Sequence, residues 1–127
     1  MKKLIVLALA ITTTFGAIAR SADDSVKVLM QKAKVEQDAG RHKLALEFLQ
    51  QAVAVNPKMI EAQRSLGIGA LEVRQFDLAR QSFLTVLASQ PNDAVALEKV
   101  TEIFYNFRKW DDAIKYGQKL LALNVGK

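Results

Sequence analysis

Cysteine is absent from the 127-residue chain, which excludes disulfides, thiolate metal sites and cysteine nucleophiles. Histidine occurs once, as His42, so no second imidazole is available for an ordinary zinc site. Proline occurs twice and glycine six times. With abundant Ala, Leu, Lys and Gln, that scarcity favours helix over sheet. Blocks of one charge are missing too, and signs alternate along the chain. A nucleic-acid surface needs Lys and Arg gathered on one face, so no such partner is expected. What remains is ordinary folded composition, 50% apolar and 24% charged, in a length that allows one domain at most.

The first nineteen residues read as a secretory signal peptide. Met1-Lys2-Lys3 is basic, Leu4–Ile11 is unbroken apolar chain, and Ala17-Ile18-Ala19 places small residues where a signal peptidase cuts. Cleavage is expected after Ala19, with Ser21 as a second option. The alternative is an uncleaved anchor. Leu4–Ala19, at 16 residues, makes about 24 Å of helix against a bilayer core of about 30 Å. No stable membrane insertion is therefore expected after processing. There is no twin arginine, and no cysteine for lipid attachment. Without Lys2 and Lys3, 16 basic residues face 13 acidic ones, so the net charge falls from +5 to about +3.

The two prolines, Pro57 and Pro91, stand 34 residues apart, and the residues before them share one register. Ala45, Leu49 and Ala52 precede the first; Phe76, Ala79 and Phe83 precede the second, and the frame continues to Phe104, Trp110 and Ala113. A 34-residue period with small residues, bulky apolar residues and a closing Pro marks a helix–turn–helix repeat. The second copy, 60–93, is clearest. Gly67 and Ala79 are small where its two helices approach, Leu66, Phe76 and Phe83 supply bulk, and Asn92-Asp93 after Pro91 can cap the next helix.

On these residues the chain resembles the tetratricopeptide-repeat family over about 24–127. The resemblance implies a right-handed, all-α solenoid of three repeats, about 26–59, 60–93 and 94–127, within a domain spanning 20–127. The copies are imperfect. Lys32 and Glu36 replace apolar family residues, so the first helix is expected to pack more loosely or lie partly exposed, as an N-terminal end repeat can. Gly117 stands where a large side chain is usual, and Val125 replaces the closing Pro. Ile114, Leu120, Leu121 and Leu123 exceed what one internal core can absorb, which leaves an apolar end face on helix 112–124.

The resemblance further implies a concave groove lined by the first helix of each repeat. Carried over position by position, its site residues are Lys27, Gln31, Lys34, Arg64, Ser65, Ile68, Glu98, Lys99, Glu102 and Tyr105, beside Met30, Gln37, Glu61, Leu71 and Val95. This mixed surface suits a peptide better than a metabolite. A clamp for acidic C-terminal tails is not supported, since Ser65 and Val95 stand where the family uses Asn and Lys.

Candidates for chemistry fail. His42 reads as a solvated turn residue, Asp111-Asp112 as helix-start carboxylates, and Gly67-Ile68-Gly69 as a mid-helix segment rather than a phosphate loop. Gly69 has no sequence rationale. Trp110 and Tyr116 read as core. The expectation is a non-enzymatic scaffold without cofactor or metal, periplasmic or secreted, that binds another envelope protein or peptide through its concave groove and C-terminal apolar face. The alternative is a structural homo-oligomer.

Overall fold

The computed structural model describes residues 21–124. The signal-peptide segment 1–19 and the break at Val125 lie outside the described residues. Six helices run in order: α1 over 21–38, α2 His42–Val55, α3 Ile60–Glu72, α4 Phe76–Ser89, α5 Ala94–Asn106 and α6 Trp110–Asn124. There is no strand among the described residues. Successive helices pack on each other, α2 on α3, α3 on α4, α4 on α5 and α5 on α6. Each pair of odd and even helices forms a hairpin, and the hairpins stack into one core running from Ala33 to Ala113.

The turn inside each hairpin is the same structure three times. Gly40, Arg74 and Arg108 occupy equivalent positions and take left-handed backbone angles, with φ of 77°, 62° and 60°. The Arg41, Gln75 and Lys109 amides donate to the Glu36, Ala70 and Phe104 carbonyls, each at 2.8 Å. Those bonds close a Schellman stop, in which a left-handed residue lets the chain satisfy the helix's last carbonyls. Glycine meets this requirement at no steric cost; arginine does not.

Inside each hairpin, contact sizes compensate. A Cβ on Gly67 would lie 2.7–2.9 Å from the Phe83 ring, so the glycine in α3 accommodates the phenyl of α4. One repeat earlier the pair is Ala33 and Leu49. One repeat later it is Thr101 and Gly117, with a Gly117 Cβ position 3.4 Å from the Thr101 methyl. The bulk has moved to the partner helix, which explains the small residue at position 117. Gly69 also gains a reason. Its Cβ would sit 2.7 Å from Leu49 Cδ1, so it lets α3 close on α2 of the preceding hairpin.

One expectation needs correction. Trp110 is not core; it is 51% exposed and meets Tyr105 edge-on at 5.4 Å. Its equivalent, Phe76, is partly covered by Phe107 of the following hairpin, with ring centroids 5.4 Å apart. Among the described residues Trp110 has no such following element. α1 lies partly exposed, as Lys32 and Glu36 implied, with Lys32 exposed and Glu36 half-buried. Val26 and Ala33 are buried, Lys32 Nζ lies 5.8 Å over the Phe48 ring, and Glu36 is ion-paired with Arg41.

Arg108→Gly is expected to raise stability by a net of about 0.5 kcal/mol, the relief of left-handed strain less the entropy cost of glycine. A thermal melt should show it; a fall in Tm would contradict the strain reading. Gly67→Ala should destabilise although alanine favours helix by about 1 kcal/mol, because a fully buried ring must move. Gly69→Ala meets only the flexible end of Leu49 and should cost less.

Candidate functional site

Five of the α1 groove positions come together with residues of α2 and α3. Lys27, Met30, Gln31, Lys34 and Gln37 line one side of a cavity of about 440 Å³. Glu61 and Ser65 of α3 line the other, and Leu49 and Met59 complete it. Spacings of three and four bring Lys27, Gln31 and Lys34 to one helix face. Lys34 Nζ is 3.7 Å from Asp38 across an exposed i,i+4 pair, which leaves its ammonium essentially solvated. The result is an apolar strip of methionine and leucine edged by cations on α1 and by one carboxylate on α3.

Leu49 and Met59 were not foreseen as groove residues. Leu49 reads only as hairpin core, and Met59 falls in the linker before α3. Their part in the cavity depends on how two hairpins meet, which the period alone does not show.

The other groove positions divide. Arg64 faces the junction with the third hairpin, where its guanidinium is ion-paired with Asp93 and Nε donates to Asp93 Oδ2 at 3.2 Å. Ile68 is 38% exposed. On α5, Glu98, Glu102 and Tyr105 are exposed, and Lys99 Nζ lies 3.5 Å from Glu102 Oε2. These four residues do not line the α1–α3 cavity.

Asp93 does two jobs. Its Oδ1 accepts from the Ala96 amide at 2.9 Å, capping α5, while Oδ2 holds Arg64. Burial pushes its carboxyl up, but the Arg64 guanidinium and the Ala96 amide outweigh that and hold it below the usual carboxylate range. One repeat earlier the equivalent residues are Met30 and Met59, which both pack on the small cluster of Val26, Ala52 and Ala62. An apolar junction between the first two hairpins thus becomes an ionic one between the second and third.

His42 is not a lone solvated side chain, contrary to expectation. Its Nδ1 lies 2.9 Å from Glu72 Oε2, so the imidazole ties the α2 start to the end of α3. Asp111 and Asp112 stand exposed in the first turn of α6. No grouping of three or more His, Cys, Asp or Glu able to hold a metal occurs among the described residues. No helix among them is long and apolar enough to cross a membrane.

No family model matches the sequence. One curated protein, the CTR9 homolog of Arabidopsis thaliana, is 36% identical over 85 residues, which is 65% of this chain. The chain spans only 8% of that relative's length. Solved structures match more fully. A MamA protein from Desulfovibrio magneticus superposes with a TM-score of 0.72 at 20% identity, covering 80% of this chain and 58% of its own. YrrB, described as a TPR protein with an unusual peptide-binding site, gives 0.70 at 23% identity over 76% of this chain and 50% of its own. The second TPR of Spaghetti (RPAP3), bound to the HSP90 peptide SRMEEVD, gives 0.72 at 10% identity over 82% of this chain and 98% of its own.

Asp93→Ala should cost about 1–2 kcal/mol by removing a cap. A carboxylate depressed in the fold contributes stability that is complete above its unfolded value and lost as pH falls through the folded one. Wild type should therefore lose stability faster than Asp93→Ala as pH drops below about 4. Parallel melting curves across that range would contradict the assignment. The three hairpins, their recurrent turns and these likenesses agree on one description: the chain is an all-α solenoid with the tetratricopeptide-repeat fold.

Proposed function

We propose that the chain is a non-catalytic interaction module of the bacterial cell envelope, periplasmic or secreted after removal of residues 1–19. It holds a partner protein through an extended or helical segment laid in the α1–α3 groove. The observation that carries this reading is the groove itself. Met30, Leu49 and Met59 offer apolar contact, and the charged edges of Lys27, Lys34 and Glu61 fix register and direction. Interfaces draw most of their energy from such central apolar anchors, with the charged rim setting orientation. Support also comes from two fold neighbours whose descriptions name peptide binding. A catalytic role lacks a constellation to support it: His42 is engaged by Glu72, and the paired aspartates sit in a helix first turn.

A photo-crosslinker placed at Gln31 in intact cells should capture an envelope protein. Met59→Lys, which puts a charge on the cavity wall, should reduce that capture about tenfold, equivalent to about 1.4 kcal/mol, with helix content unchanged. Capture undiminished by Met59→Lys would contradict the groove assignment. Mass measurement of the exported chain should show residues 1–19 removed; an intact N-terminus in the envelope fraction would favour the anchored alternative.

A further inference from the structure

Within the chain, each junction between hairpins joins the outer face of an even helix to the next odd helix. Gly69 of α3 meets Leu46 and Leu49 of α2, its Cβ position lying 3.7 and 2.7 Å from their Cδ1 atoms. Ala62, a further contact position on α3, is buried with Ala52 of α2. In the third hairpin the equivalent positions are Ala96 and Ile103, both buried. On α1 they are Val28 and Val35, which are 54% and 52% exposed. The complementary half recurs at the other end. Leu46 and Val53 of α2 correspond to Ile114 and Leu121 of α6, which are 56% and 67% exposed. Each pair is seven residues apart, hence on one helix face. Both ends therefore carry the halves of a contact that the chain forms internally.

We propose that copies of this chain stack head to tail, α6 of one copy against α1 of the next, by repeating the contact of α2 on α3. The occupant of each apolar end face is a second copy because that face matches the opposite end of the same molecule, position for position. The contact is heterologous, so a subunit joined at one end still presents the other, and growth is open-ended unless the rotation closes a ring. It involves a single inter-hairpin junction, so assembly depends on concentration. Trp110 reports it, being the one tryptophan of the chain. In the stack, Ala39 of the next copy takes the position from which Phe107 covers Phe76. The proposal rests on the reading of the chain as an interaction module, and it commits that module's end faces, not its groove.

Sedimentation of the full chain as recovered from cells tests this, using Val28→Glu/Val35→Glu on α1 and Ile114→Glu/Leu121→Glu on α6. All four positions are at least half exposed, so both variants should melt like wild type. Wild-type mass should rise with concentration beyond a dimer, and Trp110 emission should move to shorter wavelength in step. Each variant alone should stay monomeric, while an equimolar mixture should form a dimer and nothing larger. Dimers of the α1 variant alone would show α6 pairing with itself and overturn the proposal. A wild type that stays monomeric throughout would assign the faces to a segment outside 21–124 or to another protein, and would also overturn it. Groove capture at Gln31 should survive in both variants, and a wild type that captures its partner there yet never stacks sinks this inference and leaves the module reading standing.

Discussion

A hairpin of two short helices can bury one face against itself, and its other face needs a neighbour. That constraint governs the whole molecule. The small residue at position 67 exists because Phe83 must come within van der Waals range; the one at 69 exists because the preceding hairpin must do the same. Stability in such arrays is the sum of repeat terms and nearest-neighbour terms. The middle hairpin has both neighbours, so Phe83 and Val86 are fully buried. The equivalents on α6, Gly117 and Leu120, are only half-buried.

The junctions are chemically different although geometrically alike. Methionines flank the first, and Arg64 with Asp93 clasps the second. The first junction therefore leaves flexible apolar side chains at the groove, where they can adapt to a ligand. In the second, the guanidinium is spent on holding two hairpins together. One repeat period thus yields a groove at one place and a structural tie at the next.

Much of this was legible in the sequence. The spacing of Pro57 and Pro91 dictated three hairpins, and the pattern of small and bulky residues placed the helix contacts. Asp93 read as a cap and is one. The rest was hidden because it depends on neighbours. The period shows that position 74 is equivalent to Gly40, but not that an arginine there accepts a left-handed angle. Trp110 carries a core residue type and becomes half-exposed only because no following hairpin covers it among the described residues. Gly69 had no local rationale, since its contact lies on the preceding hairpin. His42 looked solitary because Glu72, its partner, is 30 residues away. Of the cavity residues, those on α1 came from the family resemblance, carried over position by position, while Leu49 and Met59 required the junction itself.

The central claim is that neighbours, not local sequence, set the stability of each hairpin and leave two matching faces unsatisfied. Amide hydrogen exchange measured at high and low protein concentration tests it most directly. In dilute solution α3 and α4 should exchange slowest, and α1 and α6 fastest. Raising the concentration should slow α1 and α6 together while leaving α3 and α4 unchanged. Protection of α6 equal to that of α4 in dilute solution, or slowing of one end without the other, would contradict the account.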